Sequence, residues 1–273
     1  MLDSLQTFIC EDAPVRGAIV RLDESWRTIV SQRPYPLPVA NLLAEAVCAN
    51  VLMGSSIKWD GRLILQYQGG AVIPLLVAKS NHRREVCAMA KWKEPLSASS
   101  MQLITEGQLV VTILQDDQVT PYQSLVPINA GGLADSLRDY FSQSEQLPTF
   151  FWLAGSMEHG FGLMVQMMPE EGQASFDFEA LVKTVSSQPI DFLKTNEALL
   201  RDCFTNNVMR LFEPQPIIFK CSCSLEKMQQ AVITLGETHA RETLAAQKEL
   251  EVTCDFCNHS YVFTREEIDA IFS

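Results

Sequence analysis

The chain has 273 residues, 47% of them hydrophobic, enough for one large domain with a substantial core and a smaller one beside it. Its net charge is −12 and no segment is basic: residues 1–168 carry 12 basic and 16 acidic side chains, 169–220 carry 5 and 8, and 221–273 carry 4 and 9. Binding through nucleic-acid phosphates needs clustered Lys and Arg, and only "HRR" (His82 to Arg84) and "KWK" (Lys91 to Lys93) approach that, so nucleic acid is not an expected partner.

The opening "MLDSLQTFICED" has an acid at Asp3, no basic n-region and no uninterrupted apolar stretch, so no export signal is read. A cytoplasmic, reducing compartment follows, in which eight cysteines are expected as thiols, metal ligands or redox groups rather than a disulfide framework. "LPVANLLAEAVCANVLM" places Val39, Leu42, Leu43, Ala46 and Val47 at helical spacing behind a proline-rich entry. Asn41, Glu45 and Asn50 interrupt this run and Gly54 breaks it, which predicts a buried helix rather than a membrane span. "GRLILQYQ" and "GQLVVTILQ" are strands by their β-branched and large apolar content and their glycine and aspartate borders. Strands that arrive in runs predict an α+β fold with a mainly antiparallel sheet and helices over residues 1–168.

Residues 169–219 change texture. "FDFEALVKTV" spaces Phe178, Leu181, Val182 and Val185 along one face, and "ALLRDCFTNNVMRLF" repeats the habit until "EPQP" stops it. Helices this short need their apolar stripe docked. The segment is either a permanent layer on the core or a detachable helical linker, and periodicity alone favours the permanent layer.

Residues 220–273 form a small module. Cys221 and Cys223 lead into "SLEKMQQAVITLG", a helix that Gly236 ends, and a second helical stretch runs through "HARETLAAQKE". "LEVTCDFCNHSYVF" suits a hairpin with Cys254 and Cys257 at its turn, and Thr264 and Glu267 have capping-box spacing for a last helix. Two close cysteine pairs separated by 30 residues supply four thiolates, the full set for a tetrahedral ion, and zinc is the expected metal.

Such a site is a staple, a catalyst or a switch. The module is small for a domain held by its core alone, which favours a structural metal. Four thiolates leave no open position for a catalytic water. A thioredoxin-like C-x-x-C belongs at a helix N-terminus, whereas Cys254 and Cys257 have strand-like flanks. His259 is expected at the surface rather than as a ligand. A switch remains open, because thiolates are the species that peroxide attacks and a sulfenic acid condenses with a neighbouring thiol. Cys10, Cys48, Cys87 and Cys203 lack a close cysteine and are expected as buried small apolar residues. Neither a nucleotide-binding P-loop nor a G-x-S-x-G or H-E-x-x-H motif occurs, and "GFGLMV" lacks the third glycine of a dinucleotide fingerprint.

The tail "FKCSCS" with "CDFCNHSYVF" resembles that of the redox-regulated 33-kilodalton heat-shock chaperonin family. "VRG" at Val15 to Gly17, "DGRLILQYQG" at Asp60 to Gly69, "GQLVVTI" at Gly107 to Ile113, "PYQSLVP" at Pro121 to Pro127 and "DYFSQSEQLPT" at Asp139 to Thr149 resemble its core landmarks. The resemblance implies a client-binding and dimerisation domain over 1–168, a redox-sensitive helical linker over 169–219 and a zinc-binding switch domain over 220–273. It implies a non-enzymatic, ATP-independent holdase for unfolded proteins, active in oxidative and heat stress. In the reduced, inactive monomer Cys221, Cys223, Cys254 and Cys257 would hold one Zn2+. Oxidation would join Cys221 to Cys223 and Cys254 to Cys257, release the zinc, unfold the linker and allow a homodimer. No membrane partner is expected. The resemblance also moves the helical segment from permanent layer to detachable one.

Overall fold

In the computed structural model, which describes residues 3–57, 60–94, 96, 103–118, 120–169, 177–189, 191–205 and 207–273, the chain forms two units, Met1–Phe219 and Lys220–Ser273. The first unit begins with β1 (Ser4–Cys10), β2 (Val15–Leu22), α1 (Glu24–Ser31) and α2 (Leu37–Ser55). Next come β3 (Gly61–Gln68), β4 (Leu75–Asn81), β5 (Glu85–Lys91), β6 (Gln108–Gln115) and β7 (Tyr122–Val126). α3 (Leu133–Tyr140) runs into a π-helical turn, Phe141–Glu145, ahead of β8 (Thr149–Gly155) and β9 (Gly160–Met167). The unit closes with α4 (Phe178–Ser186), α5 (Asn196–Cys203) and the short strands β10 (Met209–Leu211), β11 (Gln215–Pro216) and β12 (Ile218–Phe219).

Two sheets result. One has the order β10-β1-β2-β9-β8 with β11 also on β1, and the other β12-β5-β4-β3-β6-β7. Their pairings are antiparallel except β12 on β5. This is the α+β, mainly antiparallel architecture that the runs of strands imply.

α2 is apolar on most of its circumference because most of it is covered, with Leu37 exposed and Asn41 and Glu45 half-buried. It touches β2, β8 and β9 of the first sheet and β3, β4 and β5 of the second. By length and composition it could cross a membrane, yet 72% of its most apolar stretch is buried inside the protein. The approach to the first sheet is close: a Cβ on Gly155 would lie 2.4 Å from the Asn41 carbonyl oxygen and 2.7 Å from the Ala44 Cβ. Asn50, buried on the same helix, donates to the carbonyls of Leu63 (3.2 Å) and Ala78 (3.1 Å) on β3 and β4.

The other face of the first sheet carries a second core. Phe8, Ile19, Phe161 and Leu163 pack there with Leu181 and Val185 of α4 and Leu199, Leu200 and Cys203 of α5. The Asp177 and Thr195 side chains cap these helices by accepting from the backbone N–H of Ala180 and Ala198. A buried polar network lies beside them. Arg21 Nε donates to Asn196 Oδ1 (2.6 Å), Asn196 Nδ2 to Gln6 Oε1 (2.7 Å), and Arg21 Nη1 to the Phe192 carbonyl (2.9 Å).

The helical habit read as far as Phe212 ends at Cys203; Asn206 lies outside the described residues. Phe204 leaves the helix with φ −123° and packs edge-on to Phe8 at 5.8 Å. Met209–Leu211 then takes the open edge of β1, with Leu211 opposite Phe8, and Val208 N–H donates to Asp12 (3.2 Å). A ladder on a ready-made edge outweighs helix propensity in so short a stretch. The stretch 169–219 thus falls in the first unit, and 170–176, near its start, lie outside the described residues.

Cys10, Cys48, Cys87 and Cys203 are buried, as their isolation in sequence implies. Burial, helped by a hydrogen bond to Asp12, pushes Cys10 up to about 11; burial, helped by Asp202, pushes Cys203 up to about 11. Shifts in this direction favour the protonated thiol of Cys10 and Cys203 over the nucleophilic thiolate.

Candidate metal centre

The second unit is built around six buried side chains, Val232, Ala240, Leu244, Leu250, Phe263 and Ile268. Its elements are α6 (Leu225–Leu235), α7 (Glu237–Gln247), the hairpin β13 (Leu250–Thr253) and β14 (Ser260–Phe263), and α8 (Arg265–Ile271). Gly236 ends α6 at φ 94°, a conformation open to glycine, and α7 starts directly from it. The Thr264–Glu267 capping box is present at α8. The hairpin pairs Thr253 with Ser260 and leaves 254–259 as its loop.

That loop positions half of the site. Cys254 N–H donates to the His259 carbonyl (2.9 Å) and Asn258 N–H to the Cys254 carbonyl (3.0 Å), with Asn258 at φ 52°. This folds the C-x-x-C back on itself, so both sulfurs point to one side. The other half lies just before α6, where Ser224, extended at φ −150° and ψ 166°, caps the helix by accepting from Lys227 N–H. Ser222 is exposed while Cys221 and Cys223 on either side of it are half-buried and meet the loop together.

The four predicted ligands, Cys221, Cys223, Cys254 and Cys257, converge with their Sγ atoms all within 4.8 Å of one another. Two contacts cross between the pairs: Cys221 Sγ lies 3.6 Å from Cys254 Sγ and Cys223 Sγ lies 3.5 Å from Cys257 Sγ. A tetrahedron with metal–sulfur bonds of about 2.3 Å has edges of about 3.8 Å. The donor set fits zinc in number, softness and spacing. His259 is exposed, its ring edge-on to Tyr261 at 4.6 Å.

One side chain at the site was not singled out by sequence. The Tyr261 hydroxyl donates to Cys223 Sγ at 3.2 Å. Strand alternation puts Tyr261 on the same face as Phe263, but which thiol it meets depends on how the C-x-C is laid against the hairpin. Burial works to raise the Cys223 pKa, yet hydrogen bonds from Tyr261 and then from the other thiols outweigh it and hold it below the ordinary thiol value. Cys254 and Cys257 are raised, chiefly by burial. Tyr261 in turn is pushed up to about 12 by its bond to Cys223.

A family model described as Hsp33 protein matches residues 3–264. The chain belongs to the Hsp33 family. It is 36% identical to the 33 kDa chaperonin of Nitrosococcus oceani over 275 residues, covering 99% of this chain and 94% of that one. The 33 kDa chaperonin of Neisseria meningitidis serogroup B is 36% identical over 272 residues, covering 97% and 90%. A solved structure of the 33 kDa chaperonin of Thermotoga maritima shares the fold, with a TM-score of 0.84 at 24% identity over 98% of this chain and 97% of that one. The Hsp33 match thus bears out the resemblance carried by the cysteine tail and the core landmarks.

Proposed function

We propose that this Hsp33 protein is a redox-regulated, ATP-independent molecular chaperone that holds unfolded clients in the cytoplasm, without enzymatic turnover. The observation that carries the reading is the convergence of four thiols within 4.8 Å on a unit whose core is only six buried side chains. So small a core needs a staple. Zinc held by Cys221, Cys223, Cys254 and Cys257 would supply it, contributing roughly 10–16 kcal/mol of apparent binding energy to folding.

The same cysteines can undo the staple. A disulfide needs two sulfurs at about 2.05 Å, whereas all eight cysteines are free thiols and the Cys221–Cys254 and Cys223–Cys257 sulfurs lie 3.6 and 3.5 Å apart, as ligands of one ion do. Thiolates joined as Cys221–Cys223 and Cys254–Cys257 could no longer hold zinc, and the unit would lose the energy that folds it. The linker over 169–219 is the element suited to transmit that loss to the core domain over 1–168. Its helices α4 and α5 keep Leu181, Val185, Leu199 and Leu200 buried against the first sheet. Released, they would expose two apolar surfaces at once, one for clients and one for a second copy of the chain. The charge of 221–273, with 4 basic and 9 acidic residues, weighs against a nucleic-acid ribbon.

The test follows bound zinc, thiol count and suppression of client aggregation on one sample during a peroxide titration with mild heat. All three should change together, with one zinc lost as four thiols disappear. If zinc leaves and both disulfides form while aggregation is unaffected, the switch is refuted. A chelator under reducing conditions should unfold residues 220–273 and leave the sheets of the first unit intact; a second unit that keeps its helices without metal would refute the staple.

A further inference from the structure

Building on the redox reading above, we propose that Tyr261 is a positioning residue that sets the oxidant threshold of the cysteine site through its hydrogen bond to Cys223. The bond is 3.2 Å long and joins residues 38 apart in sequence. The hydroxyl is fixed in place from both sides. Tyr261 sits on β14 opposite Val252, its ring packs on the core of the second unit, and His259 lies edge-on at 4.6 Å.

The reacting step shows why this donor matters. A lone pair on the Cys223 sulfur attacks one oxygen of hydrogen peroxide, the O–O bond breaks and the other oxygen leaves as hydroxide. The sulfur becomes a sulfenic acid by losing two electrons, and the peroxide gains them. A neighbouring thiolate then attacks that sulfur, the S–O bond breaks and the oxygen leaves as hydroxide, forming the disulfide. With metal bound, all four sulfurs are thiolates whatever the pH near neutrality, so intrinsic nucleophilicity decides the rate of the first step. A hydroxyl donating to the sulfur withdraws the electron density that attacks peroxide. Outer-shell hydrogen bonds tune the basicity of metal ligands, raising it when the ligand donates and lowering it when the ligand sulfur accepts. Converting a charge-assisted hydrogen bond through the nucleophilicity slope for thiolates gives a rate change of about three- to tenfold.

Tyr261→Phe removes the donor and keeps the ring. The zinc-loaded, reduced full chain is exposed to peroxide and metal release is followed with a colorimetric chelator. Release from the variant should be about three- to tenfold faster than from wild type. In a second measurement without oxidant, iodoacetamide alkylation followed by peptide mass spectrometry should show Cys223 of the loaded variant reacting faster by a similar factor. Val262→Ala, at the exposed neighbouring position, should change neither rate. Equal rates in Tyr261→Phe and wild type overturn the inference. So does a variant that loses metal to the chelator faster with no oxidant present, because Tyr261 would then merely hold the fold. Wild type that keeps its zinc in peroxide overturns the redox reading itself and is recognised by that result alone.

Discussion

The buried network at Asn196 gives the segment carrying α5 a specific hold whose removal can be quantified. Asn196→Ala deletes the 2.6 Å acceptor of Arg21 Nε and the 2.7 Å donor to Gln6 Oε1 in one step. Arg21 is 5% exposed and, among the described residues, its Nη2 has no hydrogen-bond partner and the guanidinium keeps only its bond to the Phe192 carbonyl. Losing a hydrogen bond to a charged group costs about 1.5–3 kcal/mol and a neutral one about 1 kcal/mol. A cavity of about 420 Å³ lined by Gln6, Arg21 and Asn196 admits water that recovers part of this. The net loss is about 2–3 kcal/mol, equivalent to roughly 30- to 150-fold in the opening equilibrium of the segment. Hydrogen exchange measures it directly. Amides of Asn196–Cys203 should lose that much protection while those buried in α2 keep theirs. A change below about threefold in α5, or an equal loss in α2, would refute the reasoning, since the network would then be either inert or part of global stability.

Two further outcomes test the core. Burial on α2 raises Glu45 to about 7 from 4.5, so the folded state holds a proton that the unfolded chain has released. Stability is therefore lost as pH rises from about 4.5 to 7, and Glu45→Gln, which carries no charge, should be more stable than wild type by about 2 kcal/mol near pH 8, after allowing for partial exposure. Urea melts near pH 8 and near pH 4 check this, the advantage vanishing at the lower pH; a variant weaker than wild type near pH 8 contradicts it. Gly155→Ala would push a methyl group against the Asn41 backbone and Ala44 of α2, costing about 2 kcal/mol, or roughly 4–8 °C in melting temperature. An unchanged melting temperature would show that helix and sheet can separate without penalty.

The difference between what could be read from the residues and what could not follows the distance over which each decision is made. In the second unit the signals are local. The glycine that ends α6, the Thr264–Glu267 box, the hairpin flanking Cys254 and Cys257, and the four-thiol donor set are all settled within a few residues or by ligand chemistry. α2 was also legible, since a long run rich in apolar residues at helical spacing has to be covered. The end of α5 was not. "ALLRDCFTNNVMRLF" is periodic enough for helix, and only the open edge of β1, some 200 residues earlier in the chain, turns Met209–Leu211 into strand.

Sequence alone determined the donor set, the apolar helix at the centre and the amphipathic segment that follows the core, because each rests on residue type and short spacing. Tertiary structure alone decided the partners: Arg21 with Asn196, Cys221 against Cys254, Cys223 against Cys257, and Tyr261 on Cys223. Those contacts join residues 33 to 175 positions apart. Periodicity tells which face of an element is buried, whereas the element that meets that face is chosen by the packing of the whole chain.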